Sequence, residues 1–131
     1  MSAASTLSSS PSSITLTNMS ISNFSSGGAA GGATYFDGLV GVSLIDVKFS
    51  SNMGGVGGAV YLRASKAINI SNCNFRTNNA SISGGALAID SSCSGVYVEQ
   101  SYFFRNQANC YGGAVSVGNK NSGVTLTEMY V

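Results

Sequence analysis

The sequence contains no histidine among its 131 residues, so the commonest general base and the commonest metal ligand are both missing. Only 8% of the residues are charged and the formal net charge is +1. That composition lacks the basic footprint of a nucleic-acid-binding domain. Ser, Asn, Thr and Gly break up the apolar residues throughout, and no run approaches the roughly 20 apolar residues of a membrane-spanning helix. The three cysteines show no Cys-x-x-Cys spacing, which argues against a zinc site. Helix formers of the Glu, Lys, Arg and Leu kind are scarce, and the single proline, Pro11, lies in a Ser-rich head. Residues 1–13 have neither the basic start nor the apolar core of a secretion signal and read as a flexible lead-in.

What is present is a repeat. Phe49-Ser50-Ser51-Asn52 precedes Gly57-Gly58-Ala59, Phe75-Arg76-Thr77-Asn78 precedes Gly84-Gly85-Ala86, and Phe103-Phe104-Arg105-Asn106 precedes Gly112-Gly113-Ala114. A degenerate copy ends at Gly31-Gly32-Ala33, so the glycine pairs recur at intervals of 26, 27 and 28 residues. A unit of that length cannot bury its own apolar face and must stack on its neighbours. Each repeat opens on an alternating strand at Ile14, Val42, Ile68, Val96 and Val124, as a strand with one buried face requires. Four residues later comes a polar column, Asn18, Asp46, Asn72, Gln100 and Glu128, and seven residues later a bulky one, Ile21, Phe49, Phe75, Phe103 and Val131. In the first repeat Phe24 competes with Ile21 for the bulky place. A second strand follows each Gly-Gly-Ala.

Two strands per repeat in a constant register exclude a hairpin array, whose strands alternate in direction. They predict an all-β, parallel β-helix over residues 14–131, with about four and a half coils of 26–28 residues. Phe49, Phe75 and Phe103 become a ring stack, and Asn52, Asn78 and Asn106 an amide ladder. The pairs Gly57-Gly58, Gly84-Gly85 and Gly112-Gly113 mark a corner that needs positive backbone angles or close approach.

Phe-x-x-Asn followed by Gly-Gly-Ala-Val or Gly-Gly-Ala-Leu resembles the repeat pair of the chlamydial-type polymorphic outer membrane proteins. That resemblance covers about residues 14–131. It implies a right-handed β-helix of adhesin type, without implying autotransport, since no membrane-barrel domain accompanies it here.

Catalysis by glycoside cleavage needs two converging carboxylates. Asp37 and Asp90 share a column, four places after the repeat alanine, with Arg63 between them, while Asp46 and Glu128 share the polar column, whose mixed amides and carboxylates look like structural hydrogen bonding. An Asp37–Arg63–Asp90 charge ladder is the simpler reading. Cys73 is expected to face inward, while Cys93 and Cys110 form a candidate disulfide. Sequons stand at Asn18, Asn23, Asn69 and Asn79. Asn69, outward on a strand, and Asn79, in a turn, are the best candidates for covalent glycans. Tyr35 and Tyr61 occupy equivalent places on neighbouring coils, as a carbohydrate-stacking stripe or as plain sheet surface.

The expected protein is a non-enzymatic, extracellular or cell-surface structural or adhesive rod. It needs no cofactor, nucleic-acid partner or membrane insertion. A carbohydrate-binding or polysaccharide-cleaving β-helix is the alternative. The period breaks at Val131, before its turn is complete. That break points either to continuation in a longer solenoid or to self-association end to end.

Overall fold

The computed structural model describes residues 5–7, 13–28 and 31–130, the first of these by backbone alone. Among the described residues there is no helix, and every strand pairing is parallel. The first coil contains β1 (Ser5–Leu7), β2 (Ile14–Thr17) and β3 (Ser20–Ser22). The second runs through β4 (Thr34–Asp37), β5 (Val40–Ile45), β6 (Lys48–Ser50) and β7 (Met53–Val56). The third holds β8 (Val60–Arg63), β9 (Lys66–Ser71), β10 (Asn74–Arg76) and β11 (Asn79–Ser83). The fourth holds β12 (Leu87–Asp90), β13 (Ser94–Glu99), β14 (Tyr102–Phe104) and β15 (Gln107–Ala108). The chain then enters a further coil with β16 (Val115–Val117) and β17 (Ser122–Thr127).

Like strands stack into four sheets, β1-β4-β8-β12-β16, β2-β5-β9-β13-β17, β3-β6-β10-β14 and β7-β11-β15. The chain is a β-solenoid of about four turns, with the sheets forming its walls. Successive coils lie in register, so Val42, Ile68, Val96 and Val124 share one row, as do Leu44, Ile70, Val98 and Leu126. Val42, Leu44, Ile68, Ile70, Val96 and Val98 are all buried inside the tube.

The second, third and fourth coils have four strands each where the alternation shows two. The missed walls are β3-β6-β10-β14 and β7-β11-β15. β6, β10 and β14 each turn a single side chain inward, leaving no period-2 pattern to read. The register also decides the first repeat, because Ile21 pairs with Phe49 and is buried. Phe24 therefore stands in the asparagine column. A further correction concerns the head: Ser5–Leu7 forms a strand on Thr34–Asp37, inside the stretch read as a lead-in. Residues 1–4, 8–12, 29–30 and Val131 lie outside the described residues.

Corners between walls are made by residues in the left-handed region. The whole polar column sits there, with φ of 58° at Asn18, 55° at Asp46, 53° at Asn72, 48° at Gln100 and 48° at Glu128. Asn and Asp tolerate this conformation best. Gln and Glu hold it because the stack fixes the turn on either side.

Candidate functional site

The columns read from the sequence are physical. Phe49 and Phe75 stack at 5.0 Å between ring centres, and Phe75 and Phe103 at 4.7 Å, with planes within 7° of parallel. Those separations match the spacing of strands in a sheet, so the backbone sets the ring geometry.

Beside the rings runs the amide ladder. Asn52 donates through Nδ2 to the Ile21 carbonyl at 3.1 Å and to Asn78 Oδ1 at 3.0 Å. Asn78 repeats this with the Phe49 carbonyl and Asn106 Oδ1, both at 3.0 Å. Each Oδ1 also accepts the backbone N–H of the previous coil: Phe24 to Asn52, Asn52 to Asn78 and Asn78 to Asn106. An asparagine supplies two donors and one acceptor oxygen, and Asn78 uses all of them inside the tube. The ladder ends at Phe24 on one side. On the other, among the described residues, neither the backbone N–H of Asn106 nor its second amide hydrogen meets an acceptor in the next coil.

The glycine corner has two distinct requirements. The first glycine of each pair has positive φ, 71° at Gly57, 64° at Gly84 and 55° at Gly112. The second is forced by contact: a Cβ on Gly58 or Gly85 would lie 2.0 or 1.9 Å from the carbonyl oxygen of the next coil's glycine. At Gly113 the nearest atom to such a Cβ is 3.7 Å away.

The charge ladder forms on one side only. Arg63 Nη1 lies 2.9 Å from Asp37 Oδ2, and the Tyr35 hydroxyl also reaches that oxygen. Hydrogen bonds to Tyr35 and Asp37 hold the guanidinium above its ordinary pKa. Asp90 is in register with Arg63, but its Oδ1 accepts the Ser91 N–H at 2.8 Å instead. The competing bond is local, and a short aspartate closes it with less chain ordering than a reach across coils. Asp37 and Asp90 thus each have their own partner. Tyr35 and Tyr61 stack at 5.0 Å, with Tyr61 8% exposed. Burial, with the Asp90 charge second, pushes the Tyr61 phenol upward. This pair reads as packed sheet surface, not as a free aromatic platform.

The proposed Cys93–Cys110 disulfide is absent, and all three thiols are free. Cys93 stands in the corner column of Ser65 and Asn121, whereas the Cys110 N–H bonds the Ile82 carbonyl in the β11–β15 wall. The two therefore occupy different corners of the tube. Cys73 is buried as expected, and burial pushes its thiol up to about 11; burial likewise raises Cys93. Thiols attack as thiolates. Alkylation of the native chain near neutral pH is therefore expected at Cys110 alone, and mass spectrometry should find all three modified in urea. Equal labelling of Cys73 in the native state would contradict the burial.

The four sequons differ in exposure. Asn69 faces outward, as alternation requires, but it is half-buried and its Oδ1 is covered and has no hydrogen-bond partner. Asn79 is half-buried in β11 and not in a turn. Asn18 and Asn23 are exposed in left-handed corners. Sequence alternation carries no information about flanking strands, and it is Ser43 and Tyr97 that border Asn69.

Three inter-coil corner residues escaped the sequence reading. Ser65 Oγ accepts the Leu39 N–H, Ser101 Oγ accepts the Cys73 N–H, and Asn121 Oδ1 accepts the Cys93 N–H. Their columns mix residue types, so no repeat marks them. Among the described residues no group of three His, Cys, Asp or Glu side chains converges as a metal site would require.

No protein-family model, curated protein or solved structure matches the chain.

Proposed function

We propose that this chain is a structural module of an extracellular or cell-surface rod, a β-solenoid stem of the kind suggested by its resemblance to polymorphic outer membrane protein repeats. The observation that carries the reading is the use made of the repeated residues. The repeated Phe, Asn and Gly of the second, third and fourth coils serve stacking along the axis, and Asp37 and Asp90 are each engaged elsewhere. Exposed Asn18 and Asn23 supply glycan acceptors on the same reading.

The C-terminal face favours a further coil of the same type. Val117 and Leu126 are 45% and 42% exposed, while Ile89 and Val98, one coil earlier in the same rows, are fully buried. Asn106 has donors to give, and Gly113 has the open space that Gly58 and Gly85 lack. A coil with Asn in the ladder position would offer an acceptor oxygen to the backbone N–H and second amide hydrogen of Asn106.

Appending a second Arg76–Leu87 segment after Val131 should raise the thermal midpoint by roughly 5 °C, from about 1–2 kcal/mol of new packing and ladder bonds. The same extension with Ala in place of its ladder Asn should recover less than half of that. Electron microscopy of the unextended chain should give short rods of one length. No gain from either extension, or filaments from the unextended chain, would overturn continuation as the role of this face.

A further inference from the structure

The sheet β3-β6-β10-β14 has an outer surface that the stacking columns do not use. One outward row runs Lys48, Asn74, Tyr102 and, through a parallel bridge, Tyr130. The other runs Ser50, Arg76 and Phe104, with Arg105 at the corner beyond it. Tyr102, Phe104 and Tyr130 are 50%, 47% and 57% exposed. Tyr102 and Tyr130 stack at 4.8 Å, and the guanidinium carbons of Arg76 and Arg105 lie 5.4 and 5.0 Å from the Phe104 ring centre.

Lys48, Arg76 and Arg105 are three of the six basic residues in the sequence, and none of the five acidic residues lies in these strands. Among the described residues the one ion pair is Arg63–Asp37, on another wall. Asp46 and Glu128 border the strip on the side away from the arginines, and they accept from Asn72 and Gln100. The arginines are therefore held by a ring and by no carboxylate. A guanidinium laid on an aromatic ring keeps its planar fork of N–H donors available and loses little freedom when an oxyanion arrives. Beside those forks the strip offers neutral hydrogen-bonding groups, the Asn74 amide, the Ser50 hydroxyl and the tyrosine phenols.

We propose that this strip binds an extended anionic polysaccharide, one whose carboxylates are spaced among neutral, hydroxyl-bearing sugars. Sparse cations set among neutral donors and rings match sparse anions set among hydroxyls. A nucleic acid, with a phosphate on every unit, is matched by denser basic surfaces than one with three cations spread over three coils. The strip runs along the solenoid, so a linear polymer laid along it meets Lys48, Arg76 and Arg105 on successive coils.

The test is isothermal titration of the full chain with hyaluronate, which carries a carboxylate on alternate sugars, against neutral dextran, poly-dT and polyglutamate. Hyaluronate should bind, with an affinity that falls as salt rises. The pair Arg76→Gln and Arg105→Gln should weaken it by at least about tenfold. Lys66→Gln with Lys120→Gln, which lie off the strip, should leave it within about twofold. Circular dichroism checks that each variant is folded. Arg105→Gln alone, in an exposed corner, provides the comparison if the pair does not fold. The proposal falls if hyaluronate does not bind or if the arginine variants bind as the parent does. Tighter binding of poly-dT or polyglutamate than of hyaluronate also overturns it, and would mark the strip as a nucleic-acid or acidic-protein surface.

Discussion

Gly85→Ala is expected to cost more than about 4 kcal/mol and to lower the thermal midpoint by roughly 15 °C or more. A Cβ at this position lies 1.9 Å from the Gly113 carbonyl oxygen and 2.6 Å from both the nitrogen and the oxygen of Gln107. All three are backbone atoms of the next coil, so no side chain can swing aside. Relief requires the two coils to separate at a corner where their hydrogen bonds are continuous: the N–H of Gly85 bonds the Gly112 carbonyl, and that of Ala86 the Ala114 carbonyl. Gly113→Ala makes the same chemical change one coil later, where the nearest atom is 3.7 Å away, and should shift stability by less than about 1 kcal/mol. Urea unfolding followed by circular dichroism measures both. Equal effects would mean that the glycine column answers to backbone preference and not to the stacking contact.

Asn78→Ala should cost about 3–5 kcal/mol, because it strands groups that have no water to turn to. Asn78 is 1% exposed. Its loss removes the acceptor of the Asn52 N–H and the donor to the Phe49 carbonyl, and unpairs one side of both neighbouring amides. Asn78→Asp separates donor from acceptor. It keeps an oxygen for Asn52 but offers Asn106 Oδ1 and the Phe49 carbonyl no hydrogen unless it is protonated. Burial without a counter-charge raises the folded-state pKa of such a carboxyl above its unfolded value of about 3.9. Its stabilising contribution is then present below that value and is lost as pH rises through the folded pKa. The Asp variant should therefore be more stable at about pH 3.5 than at about pH 7, a dependence that Asn78→Ala lacks. Matching pH profiles for the two variants would show that the amide donors contribute little.

The sequence was most legible where one residue type recurs in one place. Phe49, Phe75 and Phe103, with the asparagines three places later, repeat because each touches its own counterpart in the adjacent coil, so spacing along the chain translates directly into contact. It was least legible where contact joins unlike columns or where the bond is local. Asp90 turned to Ser91 although its register with Arg63 was read correctly. Cys93 and Cys110 are distant because their corners differ, which the count of cysteines does not reveal. Asn69 alternates outward, yet neighbouring strands cover its oxygen.

The sequence by itself determined the period, the parallel stacking and the identities of the ring, amide and glycine columns. It could do so because a solenoid repeats each local requirement at every coil. Only the tertiary structure decided that the tube has four walls, that Phe24 ends the amide ladder while Asn106 leaves it open, and that Arg76 and Arg105 converge on Phe104. These features depend on three-residue strands, unlike residues in one column and side chains meeting across coils, and none of them leaves a periodic trace along the chain.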